Sequence, residues 1–556
     1  MSGGRKGKTE RREVDVAELV AALERAEAAG LSDEDVTLLR AAVDTLAVVT
    51  RELEGKGASV RRLRKLVFGA TTEKTRKVVG EPPPDEGDGD EGAQGSGKRR
   101  RSKKTKKARK GHGRNGAKAY RGADKVRLPH PTLAHKAPCP ACERGKVYML
   151  AEPAVLIRIK GVAPLQATVY ERDRLRCNLC GEVFMAPPPS NTSDKKYDET
   201  AAAMIALLKY GCGLPFNRLE RLEGSLGIPL PASTQWEVVL EAAGALQPVY
   251  DELIRQAAQG EVVHNDDTTM RILDLDGDAL TDALAEDAPD DVPEDRKGIF
   301  TSGIVSIAGG RRIALFFTGR RHAGENLAVV LARRAKALAA PIQMCDALNQ
   351  NTAGDFDSIV ANCLAHGRRK FVDVAPSFPD ECAHVLMELR KVYANDADTR
   401  ERQLTPEARL AFHQAHSKPI MDDLEAWLKA QLHERRIEPN SGLGDAINYM
   451  LKRWTELTRF LELPGAPLDN NLCERALKKA ILHRKNAYFY KTPRGARVGD
   501  LHMSLIHTAE LCGADPFDYL VTLQRHAATA AAAPAAWMPW SYAETRAALT
   551  ADSGTR

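Results

Sequence analysis

Long hydrophobic runs are absent from this sequence. Its 556 residues contain no stretch of eighteen consecutive apolar residues, roughly the length that a membrane-spanning helix needs. The first residues, MSGGRKGKTERREV, also lack the apolar stretch of a secretory signal peptide. These absences argue against an integral membrane protein and predict a soluble, cytoplasmic protein with no membrane partner.

A large excess of charge of one sign is also missing. The formal net charge is only +6, so strong basicity has to be local. It is concentrated in KRRRSKKTKKARK, residues 98–110, where ten of thirteen residues are Lys or Arg. Such a block usually stays solvated, but it also neutralises phosphates and releases counterions on contact with DNA. The predicted DNA contacts in it are Arg99, Arg100, Arg101, Lys103, Lys104, Lys106 and Lys107.

Of the ten cysteines, only four form tight pairs in the sequence. The six scattered ones predict reduced, buried thiols in a reducing compartment. The other four form two Cys-x-x-Cys pairs separated by thirty-four residues that contain β-rich runs. Two such turns can hold four thiolates around one Zn²⁺, although this gap is longer than in common zinc ribbons. Unrelated pairs or a redox site are the alternatives. The predicted zinc ligands are Cys139, Cys142, Cys177 and Cys180.

A chain of this length is too long for one ordinary core, so several domains are expected. The predicted fold class is multidomain α+β. The predicted division is 1–80, an N-terminal helical arm (a helical hairpin or a coiled coil); 81–118, an acidic and then basic disordered linker; 119–190, a zinc ribbon; 191–258, a helical segment (a helix-turn-helix or a plain hairpin); 259–371, the first part of a catalytic core; 372–465, a helical insertion; 466–526, the end of the core; and 527–556, a C-terminal tail.

Acidic residues follow two predicted strands and begin one predicted helix. EVVHNDD predicts a strand that ends in Asp266 and Asp267, which TTMRIL either continues or pairs beside, and PIQMCD predicts a strand that ends in Asp346. Between them, a hairpin is predicted around Gly309 and Gly310, followed by a helix over 324–339. PLDNNLCERALKK predicts a helix that Asp469, Asn470 or Asn471 starts, with Glu474 in its first turn and directed toward the packed side. Carboxylates that meet at a sheet edge repel one another unless a hard cation such as Mg²⁺ is present. Two such ions suit an in-line phosphoryl displacement.

Each acid also has an ordinary explanation. Asp266 and Asp267 could end a strand in an Asx turn, and Asp346 could cap the next turn. Glu474 lies three residues after Asn471, close to a capping-box arrangement. The joint placement of the acids in this order favours the metal site over these separate explanations.

The same segments resemble a known family. The motifs RLRKLVFGATTEK, HNDDTTMRIL, NCLAHGRRKF and above all DNNLCERALKKAILHRKNAYFY are similar to those of bacterial transposases of the insertion-sequence 66 type, from about residue 60 to 545. The resemblance implies a ribonuclease H-like α/β catalytic domain whose metal-binding triad is Asp266, Asp346 and Glu474, with two Mg²⁺ or Mn²⁺ ions. Cys363 and His366 match a C-x-x-H signature of some relatives, with no role assigned.

Two motifs depart from the family pattern. The family usually has Asp-Glu-Thr in its first motif, where this chain has Asp266, Asp267 and Thr268. The second motif usually continues with Gly and an aromatic residue, whereas Asp346 is followed by ALNQN. These departures leave open which of Asp266 and Asp267 binds metal, and whether this copy is active.

The implied function is a DNA transposase that binds the inverted repeats of its own element, cuts there and joins the ends to a target. In HRKNAYFYKTPRG, Arg484 and Lys485 are predicted DNA contacts beside aromatic residues that either stack on an unpaired base or are buried. The expected partners are double-stranded DNA, further copies of the chain and accessory proteins of the element, with association with the nucleoid when DNA is bound. The alternatives are an inactive DNA-binding regulator and a metal-dependent nuclease that only cuts.

Overall fold

The computed structural model describes Leu39 and residues 131–132, 134–138, 140, 144, 146–148, 163–176, 183–189, 195–275, 296–354 and 356–553. The predicted arm (1–80, Leu39 apart), the linker with its basic block (81–118) and the four predicted zinc ligands lie outside these residues and stay predictions. Within the described part, no helix is both long and apolar enough to cross a bilayer. The chain divides into a helical unit, Leu364–Leu468, and a unit that contains the sheets. The predicted α+β class is confirmed.

The main sheet has five strands. A two-stranded hairpin of β1 (Arg174–Arg176) and β2 (Val183–Met185) precedes it. The order in the main sheet is β5-β4-β3-β6-β7; β3, β4 and β5 are antiparallel neighbours, while β6 and β7 run parallel to β3. Its strands are β3 (Val262–Thr269), β4 (Phe300–Ala308), β5 (Arg311–Gly319), β6 (Ile342–Cys345) and β7 (Ile359–Asn362).

Two expectations about the strands have different outcomes. The hairpin predicted around Gly309 and Gly310 is confirmed, and both glycines have the positive φ that a two-residue turn requires. The sequence left open whether TTMRIL continues the first strand or pairs beside it. Strand β3 continues to Thr269 because β4 stays paired with it over its whole length, so Asp266 and Asp267 lie near the end of the strand but inside it.

Among the described residues between 195 and 363, four segments form α-helices. The segment predicted as a helix over 324–339 is helical only to Leu331, and its continuation forms turns in which the Arg334 guanidinium donates to the carbonyls of Ala258 and Gly260, both at 2.8 Å. These helices are α1 (Glu199–Ala206), α2 (Phe216–Ser225), α3 (Ala232–Ala257) and α4 (Ala323–Leu331).

The helical unit is built on apolar stripes and one buried ionic cluster. Asp396 is buried, and its carboxylate accepts from the Arg409 guanidinium at 2.7 Å and lies 3.4 Å from the His413 ring. Burial would raise the pKa of Asp396, but the His413 and Arg409 contacts outweigh burial and lower it. The helices are α5 (Leu364–Val374), α6 (Pro379–Glu401), α7 (Pro406–His416), α8 (Lys418–His433), α9 (Gly442–Leu451) and α10 (Trp454–Leu457).

The chain returns to the sheet with α11, the helix that carries Glu474. Helix α11 packs on one face of β3 and β4, while α3 and α4 pack on the other face, where the Ser306 hydroxyl donates to the Ala257 carbonyl and the Asn326 amide donates to the Ser302 hydroxyl. The last helices are α11 (Asn471–Ala487), α12 (Pro493–Leu511), α13 (Pro516–Arg525), α14 (Ala527–Ala532) and α15 (Tyr542–Ser553).

Helix α12 covers the outer edge of β5 with polar side chains. The accepting side chains are four residues apart on the helix, and the donating N–H groups belong to alternate residues of β5. The two spacings match, because four helical residues rise about 6 Å and two strand residues rise about 6.8 Å. An edge left bare would offer its N–H groups to another chain. The bonds are Ala314 N to Thr508 Oγ1 at 3.1 Å, Phe316 N to Ser504 Oγ at 3.0 Å and Thr318 N to Asp500 Oδ2 at 2.6 Å.

The buried Asp500 gives this edge a pH dependence that can be measured. Burial raises the pKa of Asp500 to about 7, above the value of about 3.9 in an unfolded chain. A carboxyl group with a raised pKa keeps its proton in the folded state, so its contribution to stability falls as pH rises from about 4 to about 7. Asp500→Asn keeps an acceptor for Thr318 N without the titration. We expect the melting temperature of Asp500→Asn, relative to that of the wild type, to rise as the pH increases from about 4 to about 7. A constant difference in melting temperature across this pH range in calorimetry would contradict this.

Candidate active site

Two of the predicted acids are brought together by the register of the sheet. Strand β3 pairs in parallel with β6, with His264 opposite Met344. Two residues further along the chain from this pair are Asp266, inside β3, and Asp346, directly after β6. The same register therefore brings the two acids close together, and the charge of Asp346 acts on Asp266. Both side chains are partly buried. The prediction that Asp346 follows directly after a strand is confirmed, since β6 ends at Cys345.

Helix α11 brings Glu474 to the same place. Asp266 pairs across the sheet with Gly303 of β4. A Cβ atom on Gly303 would lie 2.9 Å from Leu477 Cγ and 3.5 Å from Cys473 Sγ, so this glycine lets the helix approach the sheet closely. The Cys473 thiol donates to the Gly303 carbonyl at 3.2 Å. Glu474 follows Cys473, and its charge acts on Asp266.

The start of α11 is fastened by Asn470, which is fully buried. Its Nδ2 donates to the Asn265 carbonyl at 3.0 Å, and its Oδ1 lies 3.1 Å from Nδ1 of His264. Burial lowers the pKa of His264 to about 4, so the ring is neutral and donates this bond. The Asn470 backbone N–H donates to Cys363 Sγ at 3.2 Å. The helix starts where it was predicted, but with Asn470 as the N-cap in place of a capping box between Asn471 and Glu474.

A buried amide network holds Asp346. Nδ2 of Asn351 donates to Oδ1 of Asp346 at 2.5 Å, and the Leu348 backbone N–H donates to the same oxygen at 3.2 Å. The Asn351 carbonyl in turn accepts from Gln343 Nε2 and from Asn265 Nδ2, both at 2.7 Å. Because Gln343 belongs to β6 and Asn265 to β3, the network ties the carboxylate to both strands.

The electrostatics of the site centre on Asp266. The pKa of Asp266 is raised to about 7, first by burial and then by the charges of Asp346, Asp267 and Glu474, against a bond from the Asp267 backbone N–H that lowers it. Burial, then the charges of Asp266 and Glu474, also raise the pKa of the Cys473 thiol well above its usual value. Carboxylates are therefore crowded into a partly buried space whose thiol is neutral.

Asp267 lies on the opposite face of β3. Its Oδ2 is 2.9 Å from Nδ1 of His322 and accepts from the Ala323 backbone N–H at 3.4 Å, at the start of α4. Successive residues of a strand point to opposite faces, so Asp266 and Asp267 cannot both face α11. The sequence left open which of them belongs with Glu474. The geometry favours Asp266.

The donor set fits a hard divalent cation. Asp266, Asp346 and Glu474 offer only carboxylate oxygens, the ligands that Mg²⁺ and Mn²⁺ prefer. After burial, the charges of Asp346, Asp267 and Glu474 contribute to the raised pKa of Asp266, and a bound cation would offset that repulsion. Among the described residues, the hydrogen bonds to Asp346 engage Oδ1 and leave Oδ2 for a ligand.

The other predicted site residues have different surroundings. Arg484 is used within the fold, where its guanidinium donates to the carbonyl and hydroxyl of Thr269 and to the Thr268 hydroxyl. Lys485 is exposed. Cys363 is buried beneath the start of α11, and His366 belongs to α5 in the helical unit.

The positioning residues were missed by reasoning from the sequence. Gly303, Asn351, Gln343 and Asn470 contribute to the site only through contacts between distant segments. Asn470 had a signal, since it was considered as a helix start, but its bond to β3 has no local pattern. A polar residue inside an apolar strand, such as Gln343 in PIQMCD, was the other available signal.

Comparison with known proteins bears on this arrangement of acids. The profile of a family described as Transposase IS66 family matches residues 195–285 and 303–498, which include Asp266, Asp346 and Glu474. The chain belongs to the IS66 transposase family. It is 30% identical over 396 residues to Uncharacterized protein y4jD of Sinorhizobium fredii, covering 68% of this chain and 73% of the relative. It is 28% identical over 426 residues to Uncharacterized protein y4hP of the same organism, covering 71% of each.

Membership of the IS66 family confirms the resemblance predicted from the motifs and gives the chain a transposase role. It also bears on the two departures in the motifs. The match extends across both HNDDTT and CDALNQN, so neither departure removes the chain from the family.

The close approach of α11 to Gly303 predicts a strongly non-additive pair of substitutions. Gly303→Ala should cost about 1–3 kcal/mol of stability, because its Cβ would overlap Leu477. Leu477→Ala should cost about 2–5 kcal/mol as a cavity. In the double variant each change relieves the other, so the loss should be well below the sum. Melting temperatures of the four proteins in one buffer measure this cycle.

Gly319→Ala is the matched control for this cycle. Gly319 is also in the sheet, but a Cβ there meets nothing within 4 Å and its φ is not positive. We expect the control to be as stable as the wild type or slightly more stable. If Gly303→Ala behaved like Gly319→Ala, the close packing of α11 on β4 would be contradicted.

Proposed function

We propose that this protein is a DNA transposase that cuts DNA at the ends of an insertion element and joins those ends to a target in a metal-dependent reaction. The observation that carries the proposal is the approach of Glu474, on a helix, to Asp266 and Asp346, on neighbouring parallel strands. Membership of the IS66 family supports the same conclusion. A regulator that only binds DNA would not need this costly concentration of partly buried carboxylates.

The sheet supports a ribonuclease H-like assignment for the catalytic domain. Its first three strands are antiparallel, and the next two run parallel to the first. The first acid stands on the first of these strands and the second directly follows the fourth, while the third acid arrives on a later helix.

The proposed reaction has two in-line displacements. In the first, a water oxygen bonds to the phosphorus at the end of the element, and the bond from phosphorus to the 3′ oxygen breaks to free a 3′-hydroxyl. In the second, that 3′ oxygen bonds to a target phosphorus, and the bond to the target's own 3′ oxygen breaks. Two divalent cations, when bound, would supply charge stabilisation for the attacking and leaving oxygens.

The residues of this chain have separate tasks in that scheme. Asp266, Asp346 and Glu474 would hold the cations. Asn351 fixes one oxygen of Asp346 and leaves the other available, and Asn470 fixes the helix that carries Glu474. Positioning of this kind is the main contribution that a protein makes to phosphoryl transfer.

The acids can be tested with a matched pair of neighbours. Purified protein is incubated with labelled element-end DNA, a target and Mg²⁺. We expect Asp266→Asn to lower cleavage and joining by at least about 100-fold, a loss typical of removing a group that stabilises the transition state. Asp267→Asn, on the opposite face of β3, should keep most of the activity. Asp266→Asn should also melt no lower than the wild type without metal, because it removes a repelled, partly buried carboxylate.

The same assay separates the rival functions. Joining that depends on Asp266, Asp346 and Glu474 supports the transposase. Cleavage without joining identifies a metal-dependent nuclease, and binding without either step identifies a regulator with an inactive catalytic domain. Equal losses for Asp266→Asn and Asp267→Asn would contradict the assignment of Asp266. Accessory proteins of the element are added in a parallel reaction, since the family role includes them among the expected partners.

A structural zinc ion is proposed for Cys139, Cys142, Cys177 and Cys180. The described segments next to them support it: Pro138 bridges to Lys146 around the first pair, and β1 pairs with β2 around the second. Each Cys-x-x-Cys is therefore flanked by paired antiparallel segments, as zinc knuckles require. With the basic block at 98–110, this region would bind the element ends.

Zinc content gives a direct test. We expect about one zinc per chain by elemental mass spectrometry, since four thiolates complete one tetrahedral site. Cys139→Ser should remove most of it. Cys212→Ser changes an exposed cysteine outside the pairs and should leave the zinc content unchanged. Retention of zinc by Cys139→Ser would contradict the ligand set.

A further inference from the structure

The turn after α11 has an unusual backbone. Tyr488 ends the helix with φ 69° and ψ −40°, and its N–H donates to the Arg484 carbonyl at 2.9 Å. A positive φ at a helix end is usually taken by glycine, because a side chain is strained there. The chain nevertheless has a large aromatic residue at this position, which calls for a function that depends on its ring.

The turn is held firmly on both sides. Helix α11 precedes it, and Tyr490 follows it as a buried residue. The backbone of Tyr490 forms a parallel bridge with Ile272, just beyond β3, and its ring stacks on His483 with centroids 4.5 Å apart. Tyr488 and Phe489 therefore stand between two fixed points, which limits the conformational entropy that they would lose on binding.

The two rings of this turn face solvent. Tyr488 is 69% exposed and Phe489 is 40% exposed. The sequence left open whether the aromatic residues of AYFY are buried or available for stacking. The structure separates them, since Tyr490 belongs to the core and its two predecessors do not. Within the described residues, neither exposed ring stacks on another aromatic ring.

Three basic residues flank these rings along the chain. Lys485, Lys491 and Arg494 are exposed, and within the described residues none of them pairs with a carboxylate. By contrast, Lys479 on the same helix pairs with Glu510 at 2.9 Å. Exposed aromatic rings with unpaired cations beside them are the features that bind single-stranded nucleic acid, where bases stack and phosphates are neutralised.

We propose that Tyr488 and Phe489 form a stacking platform for unpaired bases of a DNA strand, whose phosphates Lys485, Lys491 and Arg494 bind. The proposal rests on the proposed function, because it assumes that DNA occupies this face of α11. Tyr488 lies fourteen residues beyond Glu474, about 21 Å along the helix. The stacked bases are therefore several nucleotides away from the phosphate that reacts, and they hold the strand without taking part in the chemistry.

The strained backbone provides a variant that separates binding from folding. Tyr488→Gly removes the ring and also relieves the positive φ, so its melting temperature should equal or exceed that of the wild type. Its affinity for a short labelled single strand, measured by fluorescence anisotropy, should fall by about 5-fold to 100-fold, the range for one stacked base. Affinity for the matching blunt duplex should stay unchanged. Phe489→Ala should show the same selective loss.

Two further variants test stacking at the same position. Tyr488→Trp keeps an aromatic face and should keep the affinity for the single strand. Tyr488→Leu keeps an apolar side chain without that face and should lose affinity like Tyr488→Gly. If Tyr488→Leu binds the single strand as the wild type does, stacking is refuted. If Tyr488→Gly binds it normally but dissociates a dimer in sedimentation, the rings form an interface between copies and the proposal fails.

Failure of this proposal is distinguishable from failure of the transposase function. If the wild type cleaves and joins DNA but the Tyr488 variants bind single strands normally, only the stacking proposal is refuted. A wild-type protein that binds neither single-stranded nor duplex DNA would remove both. If the Tyr488 variants selectively lose single-strand binding but Asp266→Asn keeps full activity, the stacking proposal stands and the assignment of the catalytic acids is refuted.

Discussion

The arrangement of the three acids in the candidate site depends on the missing side chain of Gly303. Because β4 has no Cβ opposite Asp266, Cys473 and Leu477 can lie directly on the sheet, and Glu474 is carried in between them. Asn470 then fixes the same helix to β3 through the Asn265 carbonyl. A larger residue at position 303 would separate the third acid from the other two without altering any acid.

Burial of like charges is the second constraint. Burial, and after it the charge of each neighbouring carboxylate, makes the ionised form of Asp266 less stable and raises its pKa to about 7. The amide of Asn351, itself held by Gln343, keeps Asp346 in place without supplying positive charge. The proposed cation site therefore keeps its shape while its carboxylates stay without a positive partner among these amides. Successive residues of a strand point to opposite faces, so Asp267 points away from Glu474, and its carboxylate contacts His322 instead.

Local patterns predicted the parts of the fold that local forces determine. The hairpin at Gly309, the strand before Asp346 and the start of the Glu474 helix all follow from short motifs. The extent of β3 beyond Asp267 did not, because pairing with a distant β4 prolongs it. Likewise, HRKNAYFY does not indicate that Arg484 bonds to Thr269 while Lys485 stays exposed. The family motif identified the acids, but the contacts that position them join segments more than a hundred residues apart, as from Asn470 to Asn265.

The helical unit leaves the sheet and returns to it at nearly one point. The Leu364 backbone N–H donates to the Leu468 carbonyl at 3.0 Å. One residue before Leu364, the Cys363 sulfur accepts from the backbone N–H of Asn470, two residues after Leu468, at 3.2 Å. The two ends of the helical unit are joined by these hydrogen bonds. The length and sequence of the segment between Leu364 and Leu468 can therefore change with little effect on the joined ends. A longer or shorter segment between them would therefore leave Glu474 in register with the sheet, because the bonds of Asn470 to Asn265 and Cys363 lie outside that segment.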